Sequence, residues 1–308
     1  MKTPILTGTT ASGKTGIALQ LAREHGAIEI INADSMLVYR GMDIGTAKPT
    51  RAELAEIPHH LIDIRNPDAP YTAGDFFRDA TEAVRLIREK GKTPLVVGGT
   101  GFYLKALLYG MWDAAPSSPE LRAELEKETT ERLHELLQEE DPESAARIAK
   151  ADRYRLIRAH EILRTAGRTT GRTPSQLRRE EKSEPNGQFE LFWTDRDTEE
   201  LQARIHLRTS EMLRNGLVEE VRHLQTSAPD SRALGAVGYA QVRDFLAGTA
   251  PAGRKIRAGI AGLQDEIELA TRQLVKRQRT WFRGQTGVSP HLLDPDLPVL
   301  LERLKSLL

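Results

Sequence analysis

The chain is 308 residues long, enough for one large domain or two modest ones, and its 39% hydrophobic and 29% charged residues describe a packed protein and exclude a disordered one. It contains no cysteine, which removes disulfides, cysteine-ligated zinc and thiol nucleophiles together, and no apolar run approaches the roughly 20 residues of a membrane helix, so no membrane partner and a cytoplasmic location are expected. Net charge is formally zero, but this averages opposed patches: eight arginines between Arg153 and Arg179 face Glu161 alone, and the stretch from Arg272 to Arg283 carries Lys276, Arg277 and Arg279 with no acid.

Met1 to Pro4 leads straight into apolar residues, without the apolar core and cleavage site of a signal peptide. Ile5, Leu6 and Thr7 predict a short strand, followed by a glycine-rich turn and a helix through Ile17 and Leu21. Residues 28–31 predict a second strand that ends at Asn32-Ala33-Asp34. Phe76, Phe77, Ala80, Val84 and Ile87 predict an amphipathic helix over 72–89, and residues 94–97 a buried strand stopping at Gly98-Gly99. Strands alternating with helices predict a parallel sheet covered on both faces. Beyond Trp112 the pattern changes. Residues 114–119 read as a linker rich in Pro, Ser and Ala, and Leu121, Leu125, Leu133 and Leu136 form one helical stripe. Residues 169–185 read as a polar connection and 189–193 as a returning strand. Leu213, Leu217, Val221 and Leu224 define one helix face, and residues 260–281 a further long helix. The expected fold is α/β, a P-loop NTPase-like parallel sheet core (residues 1–113 and 189–308, the latter with C-terminal helices) interrupted by a helical insertion at 114–188.

Gly8-Thr9-Thr10-Ala11-Ser12-Gly13-Lys14-Thr15 fits G-x-x-x-x-G-K-[ST] without a gap, between a predicted strand and a predicted helix. The glycines let the backbone curl so that several N–H groups point at one anion, and the helix N-terminus adds partial positive charge. Lys14 supplies a full charge and the Thr15 hydroxyl a ligand for Mg²⁺. The motif specifies a polyphosphate rather than ATP. P-loop ATPases end a later strand in an acid that helps hold Mg²⁺, whereas here that strand runs into Gly98-Gly99-Thr100-Gly101. This weakens the alternative of an ATP-dependent small-molecule kinase and leaves room for a ligand whose diphosphate departs.

Further blocks follow in order: Asp34-Ser35-Met36-Leu37-Val38-Tyr39-Arg40-Gly41-Met42-Asp43-Ile44-Gly45-Thr46-Ala47-Lys48-Pro49, then His59-His60-Leu61-Ile62-Asp63, Gly98-Gly99-Thr100-Gly101-Phe102-Tyr103, Gly238-Tyr239, and Thr271-Arg272-Gln273-Leu274-Val275-Lys276-Arg277-Gln278-Arg279-Thr280-Trp281-Phe282-Arg283. With the phosphate loop, they resemble the tRNA dimethylallyltransferases (tRNA isopentenyltransferases) over nearly the whole chain. Thr9 stands where that family usually has proline, Leu37 where glutamine is frequent, and Ala240 where a basic residue is frequent; none of these removes a reacting group. The resemblance implies transfer of a dimethylallyl group from dimethylallyl diphosphate to N6 of the adenosine 3′ of the anticodon (tRNA position 37), in tRNAs reading codons that begin with U. It implies a need for Mg²⁺ but not ATP, and a base flipped from the loop into a channel. The partners are then dimethylallyl diphosphate and the tRNA anticodon stem-loop, and a monomer is expected.

The amino nitrogen of adenine is a poor nucleophile, and a carboxylate that accepts its proton would help. Asp34 ends a predicted strand, where α/β sheets place ligands. On its residues alone it is equally a helix N-cap; the resemblance makes it the general base. Arg208, on a helix face shared with Arg204, stands where the family has an arginine and would stabilise the leaving diphosphate together with the loop amides, Lys14 and Mg²⁺ at Thr15; a solvent-facing arginine is the alternative. Thr100 would contact the flipped adenosine from the opposite side, or merely cap the next helix. His59 and His60 are adjacent on a strand, point to opposite faces and are read as structural. Arg272, Lys276, Arg279 and Arg283 recur at i, i+4, i+7 and i+11, a cationic helix face for phosphates or a merely solvated one, with Arg277 beside it and Trp281 and Phe282 placed to stack or pack. The family pattern adds Ser35, Met36, Leu37, Gly238 and Tyr239 as tRNA contacts, and Arg122, Tyr154, Arg155 and Arg158 in an insertion expected to grip the anticodon stem. Asp43, Lys48 and Asp75 lie in family-like stretches without separate roles. A non-enzymatic RNA-binding regulator that switches on nucleotide is the other rival, and it would be indifferent to loss of Asp34.

Overall fold

The computed structural model describes residues 2–111, 119–170, 173–179, 185–249, 257–285, 291–293 and 302. The predicted linker lies almost wholly outside them, as does Arg172 of the basic run. The described chain divides into two compact units, one formed by Met1–Leu108 with Pro185–Leu308 and the other by Tyr109–Glu184.

The larger unit is built on a six-stranded sheet of order β3-β2-β4-β1-β5-β6, in which every neighbouring pair is parallel. The strands are β1 (Thr3–Gly8), β2 (Ile28–Asn32), β3 (His59–His60), β4 (Thr93–Val97), β5 (Phe189–Thr194) and β6 (His291–Leu293). Its helices are α1 (Lys14–His25), α2 (Arg51–Glu56), α3 (Ala73–Glu89) and α4 (Gly101–Tyr109); the smaller unit holds α5 (Pro119–Leu125), α6 (Thr130–Glu140), α7 (Pro142–Arg147), α8 (Arg153–Thr170) and α9 (Pro174–Arg179). The larger unit resumes with α10 (Thr198–Arg214), α11 (Leu217–Ser227), a 3₁₀ turn at Arg232–Gly235, α12 (Tyr239–Leu246) and α13 (Gly259–Gln285).

Every residue of β1 and β2 is buried, as a parallel sheet covered on both faces requires. Glu29 on β2 is tolerated because Lys92 and His60 reach its carboxylate at 2.9 and 2.7 Å. The Glu29 contact accounts for His60, while His59 Nδ1 donates to the Ile57 carbonyl at 2.7 Å. α1 packs Ile17, Ala18, Leu21 and Ala22 against Leu6, Ile30, Leu95 and Phe192 of the strands. α3 starts at a reciprocal cap between Thr72 and Asp75 and buries Phe76, Ala80, Ala83, Val84 and Ile87; Phe77 is only half-buried.

Four sequence expectations need correction. The polar connection at 169–185 contains α9, whose Ser175 amide donates to the buried Asp141 carboxylate at 2.9 Å. The stripe in the smaller unit runs through Leu125, Leu133 and Leu137, with Leu136 half-buried, because α5 and α6 are separate helices and the i+4 partner of Leu133 is Leu137. Leu213 belongs to the end of α10, not to the helix of Leu217, because Gly216 turns the chain at φ 100° between them. The sheet also gains β6, whose three residues carry no period long enough to read.

Candidate functional site

Four strand ends converge at the carboxyl edge of the sheet, where β1 lies between β4 and β5. Residues 8–15 follow β1, Asp34 follows β2, Gly98-Gly99-Thr100 follow β4 and Asp195 follows β5. This is where open parallel sheets bind ligands. Ala11 at φ 67° and Gly13 at φ 93° curl the loop into the left-handed region, and α1 begins immediately at Lys14 without a side-chain cap, leaving its first amides to an anion. Lys14 Nζ donates to the Thr9 carbonyl at 3.2 Å, folding back across the loop.

Asp34 and Thr100 belong to one hydrogen-bonded unit. Asp34 Oδ1 accepts the Met36 amide at 2.9 Å, and its own amide donates to Asn32 Oδ1 at 2.8 Å. Thr100 Oγ1 accepts the Ser35 amide at 2.9 Å, while its carbonyl starts α4 by accepting from Tyr103 and Leu104. Its hydroxyl is therefore turned toward the Asp34 turn, and its carbonyl alone serves the helix. Arg208 is not solvent-facing: its Nη2 donates to the Thr46 carbonyl at 3.2 Å. Burial pushes its pKa down and the charge of Asp34 pulls it up. Arg204, one turn earlier, pairs with Glu200 at 2.9 Å.

Two cavities meet at these groups. One, of about 70 Å³, is lined by Lys14, Thr15, Asn32, Leu37 and His59 among others. The second, of about 480 Å³, runs from Ser35 and Thr100 past Ile205, Met212 and Leu274 to Trp281 and Phe282, a size suited to a small organic ligand or a nucleobase. Thr10, Asp34, Thr46 and Arg208 line both. A ligand whose anionic end sits on the phosphate loop and whose other end enters the large cavity meets both the Asp34 carboxylate and the Arg208 guanidinium.

Burial pushes the Lys14 ammonium down to about 8, with Asp34 raising it and Arg208 lowering it further. The charged form holds the anion, so affinity for inorganic diphosphate is expected to be full below that pH and to fall as pH rises through it. Lys14→Arg, which stays charged, should show a flatter profile in calorimetric titrations between about pH 7 and 9.5. Superimposable profiles would remove Lys14 as the source.

The model of a family described as IPP transferase matches residues 37–285. The chain belongs to the IPP transferase family. Over 94% of its length it is 44% identical to tRNA dimethylallyltransferase 1 of Citrifermentans bemidjiense, covering 91% of that protein. It is 41% identical to the tRNA dimethylallyltransferase of Deinococcus radiodurans, with 97% of this chain and 96% of that one aligned. Among solved structures it is similar to the tRNA isopentenylpyrophosphate transferase of Bacillus halodurans, with a TM-score of 0.68, 31% identity, and 99% and 95% of the two chains covered. It is also similar to a eukaryotic dimethylallyltransferase acting on tRNA, with a TM-score of 0.78, 26% identity, and 96% and 74% covered.

Within this IPP transferase the expected nucleic-acid contacts fall into distinct environments. On α13, Arg279 is not part of an open cationic face: it grips Asp195 through Nε and Nη2 at 2.8 and 3.0 Å and the Arg196 carbonyl at 2.8 Å. Arg272 lies 3.5 Å from Glu268, and Lys276 and Arg283 are exposed. The α13 cation that lines the large cavity, beside Arg208 of α10, is Arg277, about 100° around the helix from Lys276. In the smaller unit the buried Glu161 accepts Arg122 at 3.4 Å and Arg158 at 3.1 Å. The Arg122 guanidinium also lies 5.2 Å over the Tyr154 ring. Arg155 is exposed and pairs with Asp152 at 3.2 Å.

Three residues that no motif reading singled out hold the site together. Asp195 accepts the Thr9 hydroxyl at 3.0 Å as well as Arg279. Gln278 accepts the Thr10 amide at 2.9 Å and donates to the Gly99 carbonyl at 3.3 Å, tying the phosphate loop to the β4 loop. Glu220 accepts the amides of Asp43, Ile44 and Gly45 at 2.9, 2.8 and 3.1 Å and the Tyr239 hydroxyl at 2.6 Å. Tyr239, expected to touch RNA, is buried there; a Cβ on Gly45 would stand 2.5 Å from its ring. Lys48 closes the other side of the same loop, donating to Asp43 at 2.5 Å, Asp63 at 2.6 Å and the Tyr39 carbonyl at 2.9 Å. Asp75 caps α3, accepting the Thr72 amide at 3.0 Å.

Proposed function

We propose that this chain transfers the dimethylallyl group of dimethylallyl diphosphate to N6 of the adenosine 3′ of the anticodon, in tRNAs whose codons begin with U. The observation that carries this reading is the position of Asp34 and Arg208 at the meeting of two cavities, one on the phosphate loop and one large enough for a nucleobase. Relatives named as tRNA dimethylallyltransferases support it, and an ATP-dependent kinase finds no support among them.

In this reading the diphosphate lies on the amides of residues 8–15 and Lys14. The adenine enters the large cavity and its N6 attacks C1 of the dimethylallyl group. The C1–O bond breaks, and the electron pair leaves with the diphosphate toward Lys14 and Arg208. Asp34 takes the N6 proton, and Thr100 holds the Asp34 turn and the base edge. Thr15, in the lining of the smaller cavity with Lys14, offers a hard hydroxyl oxygen, and Mg²⁺ held there would keep water and phosphate oxygens as its main ligands. Bound there, it would neutralise the departing diphosphate. The exposed cations of α13 and Arg155 would track the anticodon stem-loop, and a tRNA substrate fits a cytoplasmic location.

The test mixes protein, Mg²⁺, labelled dimethylallyl diphosphate and an anticodon stem-loop with an adenosine-rich loop, then digests the RNA to nucleosides. Labelled N6-dimethylallyladenosine in a single turnover is the expected product. ATP consumption with no labelled nucleoside would sink the proposal.

A further inference from the structure

We propose that Phe102 is a stacking platform for a second nucleobase, one that flanks the adenosine entering the large cavity. The inference rests on the tRNA substrate proposed above and adds a base subsite to it. Phe102 opens α4 directly after Thr100-Gly101 and lines the same cavity as Asp34, yet 63% of its surface is exposed. Its ring lies outside the core: α4 is anchored by Tyr103, Leu104, Leu107 and Leu108, all buried. At the rim of the cavity an exposed aromatic ring offers a π face on which a base can stack.

The neighbouring Trp281 is committed elsewhere. A Cβ on Gly101 would fall 2.6 Å from its six-membered ring, so Gly101 backbone already covers one face. Trp281 packs T-shaped with Phe282 at a centroid distance of 5.0 Å and 79°. Phe102 lies 6.4 Å from Trp281, tilted by 53°. Trp281 therefore buttresses the rim, and Phe102 is the ring that presents itself. Arg277 lines the same cavity and offers charge to a phosphate. Extruding one base from an RNA loop leaves its neighbours without a stacking partner, and an exposed aromatic ring next to a cation is what restores one.

The experiment measures binding of an anticodon stem-loop carrying 2-aminopurine, or an abasic site, at each nucleotide flanking the target adenosine. Wild type is compared with Phe102→Ala, Phe102→Leu and Phe102→Tyr. Phe102→Ala should weaken binding by about 5- to 150-fold, Phe102→Leu by less, and Phe102→Tyr hardly at all. At one flanking position 2-aminopurine should be quenched by wild type and Phe102→Tyr but not by Phe102→Ala. On RNA abasic at that position, Phe102→Ala should cost nothing further. An equal penalty on every abasic RNA, or tight binding by all variants with no quenching, would overturn the stacking role and leave the transferase reading standing. Failure of wild type to bind the stem-loop would take both down.

Discussion

Asp34→Asn is expected to lower the single-turnover rate by about 10²- to 10⁴-fold, the range removed with a positioned general base, or about 3–5.5 kcal/mol of barrier. The substitution isolates chemistry from folding. The Asp34 oxygen that accepts the Met36 amide has a counterpart in asparagine, and the bond from the Asp34 amide to Asn32 involves no side chain of residue 34. The carboxylate is lost, and with it the group able to take a proton from an amino nitrogen. A second effect follows from the same change. The charge of Asp34 raises the pKa of Lys14, so its removal lets burial push that ammonium further down. Diphosphate affinity in the variant should start to fall at a lower pH than in wild type. A variant with an unchanged rate but a shifted Lys14 profile would assign Asp34 to electrostatic support of the phosphate loop and end its role as base.

The proposed reacting groups were legible because each sits in a short, contiguous signal. The phosphate loop announces itself by glycine spacing between a strand and a helix; Asp34 and Thr100 stand just past strand ends, and the family resemblance, not that position alone, marks them. The supports were not legible, because they join residues remote in sequence: Gln278 to Thr10, Asp195 to Thr9, Glu220 to residues 43–45. Such pairings leave no period and no motif. Asp195 was the most recoverable of the three, since it follows β5 as Asp34 follows β2. Glu220 looks like any acid on the polar side of α11. Helical spacing also overstated the cationic face of α13, because it says which side chains share a side and not which of them turn inward; Arg279 does so to reach Asp195. In the smaller unit, the lone acid of the arginine-rich run proved to be the residue that gathers Arg122 and Arg158.

Gly98→Ala is expected to destabilise the protein by about 1–3 kcal/mol and to slow turnover by about 10² or more. A Cβ on Gly98 would stand 2.2 Å from the carbonyl carbon of Ala33 and 2.3 Å from its oxygen. Both are backbone atoms, so no side chain can swing aside. The two strand ends are also stitched together, Ala33 N–H donating to Val97 O at 2.8 Å and Thr100 N–H to Ala33 O at 3.2 Å. The added methyl group must therefore push apart the ends of β2 and β4, which carry Asp34 and Thr100. A misplacement of about 1 Å between catalytic groups is enough for a loss of that size. Gly16→Ala supplies the contrast. Gly16 lies inside α1 with nothing within 4 Å of its Cβ position, and alanine there should stabilise the helix by about 0.5–1 kcal/mol and leave the rate unchanged. Thermal unfolding and single-turnover rates on the two variants separate a general intolerance of added methyl groups from the specific closeness of β2 and β4. If Gly98→Ala melts and turns over like wild type, the approach of these strand ends is not what sets the position of Asp34.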